Sequence, residues 1–182
     1  MTLEALIREA NAGDQAAWGQ IVDRFTGLIW ATTRAHRLSP SEAADVCQTT
    51  WLRLVENLDR IKEPERLGAW LATTARRESL RQIRLRSREL PTEEDVLFEV
   101  PSEDRTTELL ITRERNVALR RAFARIGERC QALLRLLGTA DALSYEEIGA
   151  ALGMPVGAIG PTRARCLERL RRTPELVALE AG

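Results

Sequence analysis

One lysine, one histidine and one tyrosine stand in this chain of 182 residues, and aromatics make up only 4% of it. A single histidine leaves no serine, threonine or cysteine nucleophile a plausible imidazole base, and it removes the histidine-rich metal sites. His36 itself lies among polar residues near the end of a helical pattern; it is expected to be exposed and is assigned no role. The three cysteines, Cys47, Cys130 and Cys166, show no C-x-x-C spacing, so neither a zinc site nor a disulfide framework is expected. Each falls among apolar neighbours at helical spacing and reads as a small core residue. Nothing resembles a signal peptide, and no apolar run reaches the roughly 18 residues of a membrane span, so the expected place is the cytosol. Strand patterns, internal repeats and glycine-rich phosphate loops are lacking too.

What is abundant is arginine. Twenty-six of them and Lys62 balance 27 acids, for a formal net charge of zero. A zero sum argues against a nucleic-acid partner, but the distribution of the charges argues for one. Arg76 to Arg88 holds six arginines and one glutamate, and Val156 to Arg172 holds five and one. Between them, Glu89 to Glu108 holds eight acids and one arginine. Two basic helices are separated by an acidic connector.

Apolar spacing is helical throughout. Leu3, Leu6, Ile7 and Ala10 mark a first helix ending near Gly13. Asp14 caps a second, with Trp18, Ile21, Val22, Phe25 and Ile29 on its face. Ser39-Pro40-Ser41-Glu42 is a capping box opening a third. Its apolar face runs Ala43, Val46, Cys47, Thr50, Trp51, Leu54, Val55 and Leu58, while Asp45, Gln48 and Arg53 lean off it. Asp59 to Pro64 breaks the pattern. A fourth helix from about Glu65 puts Leu67, Trp70, Leu71, Thr74 and Ala75 inward and continues as the first basic run. Trp70 reads as core in preference to a base-stacking residue. Periodicity fails from Glu89 to Glu108, the span of a flexible linker. Its acids, Glu93, Glu94, Asp95, Glu99, Glu103 and Asp104, are placed either to cover Arg81 to Arg88 or Arg163 to Arg172 in a closed form, or to act as a solvated spacer.

Helical pattern then returns with Leu110, Val117, Leu119, Ala122, Phe123 and Ile126, followed by Cys130, Leu133, Leu134 and Leu137. Ser144 and Glu147 form a second capping box, Ile148, Ala151 and Leu152 a short apolar face, and Gly153 a tight turn. Pro155 opens a longer helix with Ile159, Cys166, Leu167 and Leu170 on one stripe and arginines off it. These are the parts of a helix-turn-helix. Pro161 within that second helix predicts a kink, or a helix that begins later. The fold class expected is all-α, with two small helical domains, 1–88 and 109–182, joined by an acidic linker over 89–108.

The run Ala44-Asp45-Val46-Cys47-Gln48-Thr49-Thr50-Trp51-Leu52-Arg53-Leu54 resembles the "EDLvQEvFlrl" signature of region two in bacterial sigma factors. Gly68-Ala69-Trp70-Leu71 and the arginine-rich helix resemble the stretch next to that signature in the family. Ser144-Tyr145-Glu146-Glu147-Ile148, Pro155-Val156-Gly157 and Arg163-Ala164-Arg165 resemble region four, commonly "SyeEIA…pvGTVkSRlhRAR". The two matches cover about three quarters of the chain in family order. The bare two-module layout resembles the extracytoplasmic-function group, group IV, which keeps only these two regions.

The resemblance implies core RNA polymerase and promoter DNA as partners. Many members are also bound by an anti-sigma factor, and the sequence leaves open whether this chain is. It places Asp45, Gln48, Trp51 and Leu52 on the helix that grips the polymerase clamp. It places Arg60, Lys62 and Arg66 in the loop that captures a flipped minus-ten base, and Arg76, Arg77, Arg81 and Arg84 on the helix beside it. Gly157, Thr162, Arg163, Arg165 and Arg169 fall on the helix that reads the minus-thirty-five element. Arg77 and Arg81 depart from the family's Asn and Asp, and Gly160-Pro161-Thr162 replaces "KSR", leaving Arg163 and Arg165 as the stronger readers. No catalytic residue, metal, cofactor, membrane or small-molecule substrate is expected. The readings from other classes are an autonomous helix-turn-helix repressor, which would bind a palindromic duplex alone, and a two-module adaptor, which would bind no DNA.

Overall fold

The computed structural model describes residues 1–89, 107–139 and 143–180. The acidic stretch expected to link two modules, with the closed-form and spacer alternatives for its charges, lies outside them apart from its two ends. The described residues form nine α-helices and no strand: α1 Leu3–Asn11, α2 Gln15–Ala35, α3 Pro40–Asn57, α4 Leu67–Glu89, α5 Thr107–Arg125, α6 Glu128–Leu137, α7 Tyr145–Leu152, α8 Val156–Arg171 and α9 Pro174–Glu180. The all-helical class is therefore as expected. Two single 3-10 turns, Leu58–Arg60 and Pro64–Arg66, fill the break between α3 and α4.

Helix starts follow from local chemistry. The Asp14 carboxylate accepts from the Ala16 and Ala17 amides at 2.8 and 2.9 Å. Both capping boxes close: Ser39 with Glu42, and Ser144 with Glu147. Each satisfies donors that a helix N-terminus leaves free, and losing such a cap costs about 1 kcal/mol. Hydroxyls on inward faces are satisfied within their own helices: Thr32 donates to the Leu28 carbonyl, Thr50 to Val46 and Ser79 to Ala75. They can therefore be fully buried without an orphaned polar group.

The two halves pack against each other. α7 packs along α4, and α6 lies against α2. One aliphatic core runs across the seam, from Ile21, Ile29, Leu54, Leu67 and Leu71 to Leu133, Leu136, Ile148 and Ile159. Two glycines mark how close the halves come. A side chain at Gly68, in the first turn of α4, would collide with the Glu147 carboxylate of α7. Gly153 ends α7 at φ 63°, in the left-handed region that favours glycine, and a Cβ there would strike the Arg76 guanidinium of α4.

The corner after α2 ties the seam. His36 was expected to be solvated; it is half-buried, and its Nε2–H donates to the Ala151 carbonyl of α7 at 3.0 Å. Arg37 takes a positive φ of 55°, unusual for a residue with a side chain. Its guanidinium donates to Glu128 at 2.7 Å and to Gln131 at 3.0 Å, both on α6. Gln131 is buried and donates onward to the Ala124 and Ile126 carbonyls.

A second, smaller core holds Ile126, Cys130 and Cys166, with Phe123, Leu134 and Leu170 against it. Here the expectation of three unlinked cysteines fails: Cys130 and Cys166 form a disulfide, with Cα atoms 5.3 Å apart. The pair is 36 residues apart in sequence, a separation that carries no motif and becomes visible only when α6 and α8 are packed. Cys47 is a buried free thiol, as expected. α9 was not expected at all. It packs on α5, where Arg125 pairs with Glu175.

The His36 contact makes stability depend on pH. Burial, and secondarily the positive charge of Arg76, hold the imidazole below its ordinary value of 6.5, with the bond to Ala151 opposing them. The unfolded chain therefore binds a proton first as the pH falls. This contribution is complete above pH 6.5 and is lost from there downward toward the lowered folded value. Thermal melts at pH 7.5 and 5.5 are expected to show the lower midpoint at pH 5.5, and a shallower dependence for His36→Gln.

Candidate nucleic-acid interface

α4 carries its arginines in two registers. Arg77, Arg81 and Arg84 recur at spacings of four and three, and all three are exposed as one stripe. Arg76 lies on the other side, half-buried beneath Gly153, and its Nε has no hydrogen-bond partner. The structure thus groups three of the four arginines expected on this helix and sets the fourth in the seam. Glu78, mostly covered, sits between Arg81 at 3.5 Å and Arg53 at 3.8 Å, which fixes the near edge of the stripe.

The loop before α4 forms a pocket of about 310 Å³, lined by Asn57, Arg60, Ile61, Lys62, Glu63, Arg66, Leu67 and Trp70. All three basic residues expected in this loop meet there. Trp70 packs against the core, as expected, and also lines the pocket. An aromatic and apolar floor with a cationic rim suits a planar base attached to a phosphate. Arg66 is steadied by Glu63 at 2.8 Å. The two 3-10 turns hold the pocket open because Pro64 cannot continue the Leu58–Arg60 turn into α4.

On α3, Asp45, Gln48 and Leu52 share one exposed face. Trp51 is turned inward, with its ring edge-on to Trp18 at 6.1 Å between centroids. Sequence reasoning placed Val55 on the core face of α3. It is 59% exposed, next to Leu52 at 57%. Leu52 and Val55 thus form a small apolar spot beside the exposed Asp45 and Gln48.

α8 runs unbroken from Val156 through Pro161 to Arg171. It does not begin after the proline, and Pro161, having no N–H, leaves the exposed Gly157 without an i+4 donor for its carbonyl. Only Ile159 and Cys166 of this helix are buried. Its outward ridge is Gly157, Pro161, Ala164 and Glu168, all exposed. At 3.6 residues per turn, Arg163 and Arg165 lie roughly 160° apart around the axis. Arg165 shares a flank with Arg169 and Arg172, whereas Arg163 stands beside the buried stripe. Arg165 Nη2 donates to the Thr162 hydroxyl at 3.3 Å, and Arg172 pairs with Glu168 at 2.8 Å. Cations therefore border a ridge of three small residues and Glu168, on a helix presented by a capped α7 and a glycine turn.

The chain is similar to known proteins over these same elements. Residues 21–89, from α2 to the end of α4, match the family described as Sigma-70 region 2. The ECF RNA polymerase sigma factor RpoE of Cereibacter sphaeroides is 27% identical over 165 residues, 87% of each chain. The ECF RNA polymerase sigma factor SigE of Mycolicibacterium smegmatis is 30% identical over 169 residues, 87% of this chain and 63% of that one. Among solved structures, the sigma factor RpoE of Bartonella quintana, in complex with the anti-sigma factor NepR, has a similar fold. It superposes with a TM-score of 0.60 at 22% identity, over 88% of this chain and 96% of that one.

The two flanks of α8 give distinct expectations. Arg165→Ala should weaken binding to a site-bearing duplex more than Arg163→Ala does. A lost bidentate base contact costs about 1–3 kcal/mol and relaxes preference at one position. A lost phosphate contact lowers affinity evenly and flattens the salt dependence. Salt titrations of both variants by fluorescence anisotropy separate the two outcomes.

Proposed function

We infer that the chain is a sigma factor of the extracytoplasmic-function kind, one that binds core RNA polymerase and directs it to promoters, and not a repressor acting alone. The match to sigma-70 region 2 over α2 to α4 carries this reading, with two sigma factors similar along most of the chain. Its place in group IV rests on the two-region layout. The reading puts the protein in the cytoplasm, where promoter DNA lies. Among the described residues no helix is long and apolar enough to cross a membrane.

Each surface then has a task. The α3 face of Asp45, Gln48, Leu52 and Val55 docks on the polymerase, with Trp51 bracing it from beneath. The pocket of Arg60, Lys62, Arg66 and Trp70 holds a minus-ten base out of the stack, where a few kcal/mol of lost stacking must be recovered by burial and charge. Arg77, Arg81 and Arg84 follow the adjacent phosphates, which position the protein without specifying sequence. α8 enters the major groove of the minus-thirty-five element, with Arg165 and Arg169 on its leading flank. Arg76 could join the α4 contacts only if α7 moved from above it. The units are 1–88 and 109–182, joined by the acidic stretch 89–108. An anti-sigma factor, such as the one bound to the Bartonella quintana relative, fits as a further partner. The task is binding and strand opening, not covalent catalysis.

Run-off transcription with purified core polymerase on genomic fragments tests the reading. Transcripts should start at discrete sites and require the chain. Asp45→Arg combined with Leu52→Glu should lower core binding at least about tenfold, some 1.4 kcal/mol, with an unchanged circular dichroism spectrum. Tight binding of the free chain to a palindromic duplex, with no effect on polymerase, would support the repressor instead.

A further inference from the structure

α8 is attached to the protein by little. Of its residues only Ile159 and Cys166 are buried. Gly157, Gly160 and Pro161, all poor helix formers, occupy its first two turns. The small core behind it consists of Ile126, Cys130 and Cys166 with three partly buried neighbours. One of the two anchors of α8 is therefore the sulfur joined to Cys130 of α6. Cys130 lies in the first turn of α6, after its cap Gly127. Cys47, the remaining cysteine, is buried in the other core, and burial pushes its thiol up to about 11. Cys47 has no cysteine neighbour, so an internal disulfide is confined to one pair.

We propose that Cys130 and Cys166 are a redox-responsive couple that controls promoter reading: the disulfide holds α8 in place for the minus-thirty-five element, and the dithiol releases it. This rests on the sigma-factor reading, which puts the chain where thiols are kept reduced and where disulfides are mostly transient or redox-sensing. Oxidation uses a small-molecule disulfide of the glutathione class. The Cys130 thiolate attacks one of its sulfurs, forming a mixed disulfide and expelling one small thiolate. Cys166 then loses its proton and attacks the Cys130 sulfur, expelling the second. Two protein thiols and one small disulfide become one protein disulfide and two small thiols, so the pair loses two electrons and the small disulfide gains them. Both cysteines are buried beneath Phe123, Leu134 and Leu170, so exchange passes through an opening of this cluster.

The test uses the full chain, poised across a series of reduced-to-oxidised glutathione ratios. Free thiols are counted by maleimide gel shift, and run-off transcription is measured with core polymerase on a promoter bearing the minus-thirty-five element. The thiol count should move between one and three. If the reduced helix is competent about a tenth of the time, transcription should fall about tenfold on reduction and recover on reoxidation. Cys130→Ser and Cys166→Ser should both match the reduced chain and ignore the glutathione ratio, while Cys47→Ala should keep the full response. Binding to core should not change. Equal transcription in both states overturns the proposal, as does a pair that stays reduced across the series. Loss of the helical circular dichroism signal on reduction would make the bond a structural staple and overturn it too. That comparison is made on the native chain, so it stands even if a serine variant fails to fold. No transcript in either state would remove the sigma-factor reading, and this proposal with it.

Discussion

The arrangement depends on one aliphatic core shared by two sets of helices. α6 and α7 are short, α8 buries only two of its residues, and the side chains buried apart from the shared core form only the small cluster around Cys130 and Cys166. Their larger apolar residues, Leu133, Leu136, Ile148 and Ile159, are buried together with those of α2 to α4. Burying a leucine or isoleucine side chain is worth about 1.5–3 kcal/mol, so these four outweigh the polar ties at the same seam. The exposed Arg37–Glu128 pair contributes roughly 0–1 kcal/mol. Its effect is on alignment: with Gln131 it fixes where α6 meets the end of α2, and the core supplies the attraction.

Local chemistry was legible in the sequence, and long-range pairing was not. The caps at Asp14, Ser39 and Ser144, the turn at Gly153 and the break at Pro64 each depend on residues within a few positions of one another. Every one of them could be read directly. His36 and Ala151 are 115 residues apart, and nothing near His36 in the chain marks the carbonyl it meets. The same holds for Cys130 and Cys166, whose pairing follows from the packing of α6 on α8. Val55 was misplaced for another reason. It is apolar at a position bordering the core face, and periodicity cannot distinguish a residue at that border from one inside. α9 is too short for its apolar pattern to stand out from the turn before it.

The candidate site divides along the same line. The three basic residues around the pocket and the stripe Arg77, Arg81 and Arg84 fell together as their spacing implied. Arg76 and Arg163 did not join their groups, because each is one or two positions away in sequence and so points elsewhere on its helix. Charge composition marked the arginine-rich segments. The 100° step between successive residues then decided which arginines share a face.

The ridge of α8 has a geometric consequence. Gly157, Pro161 and Ala164 project almost nothing beyond the backbone, so the helix presents a low profile between its flanking arginines. A rod with a smooth crest can settle deeper into a channel before its sides touch the walls. Depth of insertion for such a rod is set by its flanks, and along the first two turns of this one no polar side chain stands on the crest. Enlarging any one of the three residues would raise the crest and cost the rod its clearance.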